Sequence, residues 1–128
     1  MTVSREHVRG VLDTYIQAWV NQDPDLIVSI FTHSATYHEH VLEEPIRDRL
    51  GIKRYWQEKV VKSQRSIECE LLNLYLDGDT AIAEWEVQFD DLSDGERKRM
   101  REVAILVFED RLISSLREYW SSERLFDL

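Results

Sequence analysis

The segment Thr80 to Phe108, TAIAEWEVQFDDLSDGERKRMREVAILVF, holds two stretches in which apolar and polar residues alternate. Alternation at every second residue is typical of β-strands, and the polar, glycine-containing run Ser93 to Glu96 between them is typical of a hairpin turn. The predicted cross-strand pairs are Trp85 with Ala104, Val87 with Glu102 and Phe89 with Met100. One face of the hairpin is therefore apolar, and Glu102 is the charged residue on it.

Further alternating stretches lie on both sides of this hairpin. The predicted strands are Ser66 to Leu76, Thr80 to Leu92, Lys98 to Phe108 and Ile113 to Trp120. Short turn sequences, Asp77-Gly78 and Glu109-Asp110-Arg111, separate the outer strands from the hairpin. Because each connection is short, we expect the four strands to form an antiparallel meander.

The first half of the chain has mostly helical spacing. Apolar residues three and four apart predict an amphipathic helix from Ser4 to Asn21, capped by Ser4, and another from Arg49 to Lys62. Asp23-Pro24 predicts the start of a short second helix, since Asp caps and Pro suits the first helical position. Ser34 to Val41 alternates as a strand.

Helices followed by a run of strands indicate one α+β domain, residues 1–128. We expect a cone-shaped, curved antiparallel sheet that wraps around the long first helix, with two further helices. The open end of such a cone is the expected place for a small molecule.

Composition limits the partners. The 16 Lys and Arg against 25 Asp and Glu give a net charge of -9, which repels nucleic acid and anionic membranes. The basic clusters Arg47 to Arg54 and Arg97 to Arg101 are not interleaved with aromatic residues, so we interpret them as solvated charge. No apolar run has the length of a membrane span. Met1 to Gly10 lacks the core of a signal peptide, and the single cysteine, Cys69, suits a reducing compartment, so we expect a cytoplasmic protein.

Glu39 is a candidate proton acceptor. It shares the predicted face of its strand with Ala35, Tyr37 and Val41, and a carboxylate among apolar residues has its pKa raised by desolvation. Such a group accepts protons near neutral pH. The alternative is that Glu39 lies at the end of the strand and is simply solvated.

Histidine, cysteine and tryptophan supply the other candidates. His38 and His40 share a strand face, a spacing that some metal sites use, but a third ligand is not evident nearby, so neither a metal nor a cofactor is expected. We interpret Cys69 as a core residue. The tryptophans, Trp19, Trp56, Trp85 and Trp120, are expected to line one cavity, and plain core packing is the alternative for some of them.

The order of residues from Tyr15 to Trp56, with the ending Arg117-Glu118-Tyr119-Trp120, resembles a known superfamily. The matching residues include Asn21-Gln22-Asp23, Phe31, Ala35-Thr36-Tyr37, Pro45 and Tyr55-Trp56. Over nearly its whole length the chain looks like the nuclear transport factor 2-like superfamily, within its SnoaL-like and ketosteroid-isomerase-like group. That superfamily includes isomerases, cyclases, dehydratases, epoxide hydrolases and non-catalytic binding domains.

The resemblance implies roles for single residues. Tyr15 falls where ketosteroid isomerases keep the tyrosine that binds the developing enolate, and Glu39 falls where they keep the aspartate that moves the proton. Ala104 replaces their second oxyanion donor, which argues against steroid isomerisation, and Ser121 replaces an acid found in many cyclases. The expected ligand-binding residues are Phe31, Trp19, Trp56, Trp85, Ala104 and Trp120.

The same resemblance turns Leu116, Glu118 and Trp120 inward, which sets Glu118 near Glu102. Two neighbouring carboxyl groups do not both ionise easily, so one is expected to stay protonated and to donate a hydrogen bond. A register slip of one residue would reverse this prediction.

We therefore expect general acid-base chemistry on a small hydrophobic or polyketide-like molecule. Glu39 is the predicted base, Tyr15 the donor to oxygen, and Glu102 or Glu118 the second acid. The alternatives are a binding module of the same fold without catalysis, and an interaction protein that uses the outer face of the sheet.

The outer face of the hairpin predicts a homodimer. Its predicted pairs are Glu84 with Ile105, Glu86 with Val103, Gln88 with Arg101 and Asp90 with Arg99. A monomer would expose Val103, Ile105 and Val107 to water, whereas an isologous dimer covers them. The alternative is that the segment Ser122 to Leu128 covers the same surface within one chain.

Overall fold

The computed structural model describes residues 3–128, and Met1 and Thr2, which begin the charged amino-terminal stretch, lie outside them. The helices are α1 (Arg5–Val20), α2 (Pro24–Val28) and α3 (Asp48–Trp56), which continues as a π-helical segment (Gln57–Val61). The strands are β1 (Phe31–His38), β2 (Ile46–Arg47), β3 (Gln64–Asp77), β4 (Thr80–Asp91), β5 (Glu96–Glu109) and β6 (Leu112–Asp127).

Side-chain caps begin the first two helices. The Ser4 hydroxyl accepts a hydrogen bond from the backbone N–H of His7, and the Asp23 carboxylate accepts one from Leu26. Each cap satisfies a backbone donor that the first helical turn leaves unpaired. Both predicted helix starts are confirmed.

The strands form a single curved sheet in the order β2-β1-β6-β5-β4-β3. Strands β3 to β6 make the expected antiparallel meander, while β1 runs parallel to β6 and carries the two-residue β2 on its other edge. The apolar side of α1 packs with the inward residues of the sheet in one core. The α+β prediction is confirmed, and β2 was missed because two residues show no periodicity.

The register of the central hairpin differs from the prediction by two residues. Trp85 lies opposite Glu102 rather than Ala104, and Val87 lies opposite Met100. The last pair is Asp91 with Glu96, so the turn comprises residues 92–95, and Gly95 supplies its left-handed backbone (φ 70°). An even shift keeps each residue on its face, so the apolar inner face is as predicted.

Two predicted strand ends were wrong, and the third helix changes from α-helical to π-helical before its predicted end. Strand β1 ends at His38, where its pairing with β6 stops, so Glu39 and Val41 lie beyond the strand. The third helix stops being α-helical at Trp56. Strand β6 continues past Trp120 to Asp127, because β5 extends far enough to pair with it. In the part of the chain that the structure describes, every helix is too short or too polar to cross a membrane.

Candidate functional site

A cavity of about 120 Å³ lies between α1, α3 and the inner face of the sheet. The aromatic residues that line it are Tyr15, Trp19, Tyr37, Tyr55, Trp56, Phe89 and Trp120. The charged residues that line it are Glu39, Lys59, Asp91, Lys98, Glu102 and Glu118. An aromatic wall that also carries several charged and polar groups suits a small organic molecule that bears polar atoms.

The inner end of the cavity, which we call the floor, comprises Tyr15, Tyr37, Glu102 and Glu118. The Tyr37 hydroxyl donates a hydrogen bond of 2.6 Å to Glu118 Oε1, and the Tyr15 hydroxyl lies 2.9 Å from that of Tyr37 and 3.4 Å from Glu118 Oε1. Burial raises the pKa of Glu118 well above its usual range, and the charge of Glu102 adds to the rise. Burial also raises the pKa values of both tyrosines, so their hydroxyls stay protonated.

Glu102 is the second acid of the floor, with 1% of its surface exposed. The indole N–H of Trp85 donates a hydrogen bond of 2.8 Å to Glu102 Oε2. Burial raises the pKa of Glu102 to about 8, against the opposing effect of that hydrogen bond. Since β6 pairs Glu118 with Ala104 and Trp120 with Glu102, the two acids are diagonal neighbours on one face, and at neutral pH the floor favours protonated carboxyl groups.

The outer end of the cavity, which we call the mouth, comprises Glu39, Lys59, Lys98 and Trp120. The Glu39 side chain is 18% exposed, its carboxylate interacts with the Tyr55 hydroxyl, and Lys59 Nζ lies 4.0 Å from Glu39 Oε1. Glu39 thus reaches the cavity from the loop that follows β1 rather than from the strand. Lys98 Nζ is 2.8 Å from Asp91 Oδ2 and also pairs with Asp94.

The sequence model of the SnoaL-like domain matches residues 12–116, which include most of the lining of this cavity. The chain belongs to the SnoaL-like domain family. No curated protein sequence matches it.

Solved structures share the fold of this SnoaL-like domain at low identity. The epoxide hydrolase/cyclase-like enzyme SalBIII, which acts in pyran ring formation in the polyether salinomycin, is 18% identical with a TM-score of 0.82 over 95% of this chain and 98% of that one. TsrD from Streptomyces laurentii is 17% identical, with a TM-score of 0.79 over 93% and 91%. A protein with a ketosteroid isomerase-like fold from Catenulispora acidiphila, solved with trimethylamine, is 17% identical, with a TM-score of 0.76 over 87% and 85%. These likenesses show the fold.

The SnoaL-like cavity brings together most of the predicted site residues. Tyr15, Glu39, Glu102 and Glu118 line it, together with Trp19, Trp56 and Trp120. The predicted ligand-binding residues that do not line it are Phe31, Trp85 and Ala104.

These three side chains belong to the core. Trp85 is covered by Tyr15, whose ring stacks on it with centroids 4.8 Å apart. Ala104 is fully buried beside Glu118 of the neighbouring strand, and its methyl group is too short to reach past it. Phe31 is fully buried at the start of β1, next to Ile113 of β6.

Sequence reasoning missed several lining residues of the domain. Tyr37 shares the inward face of β1 with Ala35, so alternation alone was a sufficient signal for it. Tyr55 precedes Trp56 and carried no separate signal. Lys59 and Val60 lie in the π-helical segment, where the helical spacing used for prediction no longer applies.

The histidine and cysteine candidates take no part in the cavity lining. Within residues 3–128, no group of three or more His, Cys, Asp or Glu side chains is arranged to hold a metal ion. The His40 ring lies 5.9 Å from that of Trp120. Cys69 is partly buried and packs against the core, and burial raises its pKa to about 12.

The basic cluster on β5 is paired with acids of the same chain. Arg97 binds Asp90, Lys98 binds Asp91, and Arg101 Nη2 lies 2.8 Å from Glu86 Oε1. Arg99 and Arg101 are exposed, as the solvated-charge interpretation expected, whereas Arg97 and Lys98 are largely buried in their ion pairs.

Proposed function

We propose that this SnoaL-like domain is an enzyme that performs general acid-base chemistry on a small, largely apolar molecule, such as a polyketide-like compound. The observation that carries the proposal is that Glu39, Glu102 and Glu118 line one aromatic cavity in different settings, while the fourth carboxyl group of the lining, Asp91, is paired with Lys98. Glu102 and Glu118 are deeply buried, whereas Glu39 is partly exposed beside a lysine. Carboxyl groups in unlike environments can divide the roles of acid and base between them.

In this proposal Glu39 removes a proton, either from the ligand or from a water molecule that attacks it. Glu118 or Glu102 gives a proton to the oxygen on which negative charge develops. The raised pKa values of both acids support this role, because an acid must hold its proton at the working pH to donate it. With an epoxide, the exchange leaves Glu39 protonated and the floor acid ionised, and proton transfer through solvent restores both. With a β,γ-unsaturated ketone, Glu39 returns its proton to the γ-carbon while the enol oxygen returns its proton to the floor acid, so both groups end as they began.

Tyr15 would act together with its neighbours. The Tyr15 hydroxyl is hydrogen-bonded to Tyr37 and Glu118. In such a network the remaining hydrogen bonds stabilise the charge that forms when one member donates a proton or a hydrogen bond to the ligand. We therefore propose Tyr15 and Glu118 as one donor unit for the ligand oxygen.

The test uses small epoxides and β,γ-unsaturated ketones, offered to the wild type and to Glu39→Gln. Hydrolysis of an epoxide or migration of the double bond is followed by chromatography. Loss of the base is expected to lower the rate by about 10²–10⁴ with binding retained. A Glu39→Gln variant that turns over as fast as the wild type would overturn the assignment of the base.

The alternative is a binding module without catalysis. Aromatic rings beside carboxyl groups suit an ammonium ion, and the Catenulispora acidiphila protein was solved with trimethylamine. This alternative predicts that trimethylamine binds, that the tested compounds bind without turnover, and that Glu39→Gln leaves the affinity for neutral compounds unchanged. Binding seen by calorimetric titration with no product seen by chromatography identifies the binding module, whereas product formation identifies the enzyme.

We also propose that the domain forms a homodimer through the outer face of the sheet. Val103, Ile105 and Val107 are only half-buried there, and Ile82 lies opposite Ile105 with 37% of its surface exposed. The described tail continues β6 within the sheet, so it does not fold back over this surface. An apolar surface of this kind favours an isologous contact.

The hairpin register changes the expected charge contacts of that dimer. Arg101 lies opposite Glu86 and binds Glu84 and Glu86 of its own chain, and Arg99 binds Glu123. The apolar residues are therefore left as the main contact. Sedimentation at micromolar concentration tests the dimer: a mass near 15.3 kDa would contradict it, and Val103→Glu is expected to convert a dimer to monomer.

A further inference from the structure

The cavity region holds tryptophan N–H groups in two different states. Trp19 Nε1 donates a hydrogen bond of 3.0 Å to Gln64 Oε1, and Trp85 Nε1 donates one of 2.8 Å to Glu102 Oε2. Trp56 Nε1 is buried and has no acceptor among the described residues, although Trp56 lines the cavity and is only 1% exposed. The chain therefore satisfies two indole donors and leaves the third unpaired.

The groups around Trp56 are already engaged. The Tyr15 hydroxyl binds Tyr37 and Glu118, and the Glu39 carboxylate interacts with Tyr55 and Lys59. The Tyr15 and Trp56 rings meet at 81° with centroids 5.7 Å apart. A ring face is a weak acceptor and does not replace an oxygen atom.

An unpaired buried donor affects what the cavity can bind. Trp56 Nε1 has almost no accessible surface in the free protein, so an acceptor oxygen of a ligand placed against it forms a hydrogen bond that the free protein lacks. A ligand without an acceptor then leaves the donor unpaired, which weakens binding by about five- to hundredfold relative to a ligand that pairs with it.

We propose that Trp56 Nε1 is the specificity-determining donor of the cavity and binds an acceptor oxygen of the ligand. The cavity then selects a carbonyl, ether or epoxide oxygen over a hydrocarbon group of the same shape. The proposal rests on the proposed function only in taking the cavity as a small-molecule site, and it holds whether or not catalysis follows.

Two matched probes test this donor. Cyclohexanone and methylenecyclohexane differ in one group, C=O against C=CH2, and each is titrated into ¹⁵N-labelled wild-type protein. The Trp56 indole N–H resonance is expected to move downfield with the ketone and to stay nearly unchanged with the hydrocarbon. This measurement needs no substitution, so it stands even if a variant folds poorly.

Variants then compare the paired and unpaired donors. Trp56→Phe removes the unpaired N–H and is expected to lower the ratio of ketone to hydrocarbon affinity by about five- to tenfold. Trp19→Phe is the matched control, because it removes an indole whose N–H is already bound to Gln64. Both affinities change in that control while their ratio stays as in the wild type.

The outcomes separate this proposal from the proposed function. If both probes bind and Trp56→Phe leaves their ratio unchanged, or the Trp56 resonance does not respond to the ketone, the donor role is overturned while the cavity remains a binding site. If neither probe binds the wild type, the cavity as a small-molecule site fails, and the donor role fails with it.

Discussion

The floor and the mouth of the cavity hold acidic groups in opposite ways. Glu102 and Glu118 are carried on long central strands, buried, and bound by neutral donors from Trp85 and Tyr37. Glu39 is carried on a loop, partly exposed, and lies near the ammonium group of Lys59. Burial raises the pKa of both floor acids. In the mouth, the acid Glu39 lies near the opposite charge of Lys59, and this pair is in contact with solvent.

The acids at the two ends of the cavity therefore affect the free energy of unfolding differently. A buried carboxyl group next to another costs stability once it ionises, and only the surrounding core can offset that cost. An exposed ion pair costs and contributes little. We therefore expect substitutions in and under the floor to change folding, and substitutions in the mouth to change it far less.

The largest expected effect is on packing below the floor. Trp85→Ala removes a fully buried ring on which Tyr15 stacks and is expected to lower the free energy of unfolding by about 3–5 kcal/mol. Trp120→Ala in the mouth removes a ring that is 42% exposed and is expected to cost about a third as much or less. Urea unfolding followed by circular dichroism measures both, and equal losses would remove the distinction between floor and mouth.

The second effect is on how the stability of the folded state depends on pH. Because the pKa of Glu102 is raised from 4.5 to about 8, the folded state binds more protons than the unfolded state within this range. Stability therefore falls as pH rises through the range, by at most about 1.4 kcal/mol per pH unit for each such group. Glu102→Gln is expected to make the fall shallower.

Urea unfolding at several pH values within that range measures the slope. Glu70→Gln, which alters an exposed acid of β3, controls for the change in net charge. Identical slopes in the wild type and Glu102→Gln would show that Glu102 does not hold its proton in the folded state.

A third effect compares two tyrosines. Tyr37→Phe removes the donor to Glu118 and is expected to cost about 1 kcal/mol. It should also raise the pKa of Glu118 further, since the Tyr37 hydrogen bond favours the ionised form. Tyr55 interacts with Glu39 of the mouth and not with Glu118 by a hydrogen bond, so Tyr55→Phe should leave the Glu118 titration in place. Carboxyl ¹³C chemical shifts measured against pH report the titration of Glu118. A change in the Glu118 pKa of equal size in both variants would contradict the prediction.

The smallest effect is expected for the ion pair of the mouth. Lys59→Ala removes a half-exposed ammonium group 4.0 Å from Glu39 and is expected to change the free energy of unfolding by less than about 0.5 kcal/mol. Unfolding at low and high salt gives the measurement. A loss above that limit would mean that the mouth is held as tightly as the floor.

The parts of the fold that depend on local chemistry were predictable from the sequence. The helix starts at Ser4 and Asp23 follow from caps within three residues of the helix. The inward face of β4 and β5 follows from alternation, which survives an even register shift. The diagonal placement of Glu102 and Glu118 rests on the same alternation, guided by the family resemblance.

The features that could not be predicted from the sequence depend on contacts between residues that are far apart in the chain. Where β1 ends is set by its pairing with β6, and this moves Glu39 from a strand to a loop. Which inward residues reach the cavity is set by what lies over them: Tyr15 covers Trp85, and no local pattern shows this. The residues of the π-helical segment that line the cavity cannot be identified from α-helical spacing, because that spacing does not apply to a π-helix.

The parallel pairing of β1 with β6 has a consequence for the order of folding. It joins residues 31–38 to residues 113–117, and the hydrogen bonds of Glu118 to Tyr15 and Tyr37 span 103 and 81 positions in sequence. Contacts so distant form only after the intervening loop closes, and chains rich in them fold slowly. During synthesis the helices and the β3–β5 hairpins emerge before β6 does. Until β6 docks, Tyr15 and Tyr37 lack their acid, so the floor of the site is complete only after these long-range contacts have formed.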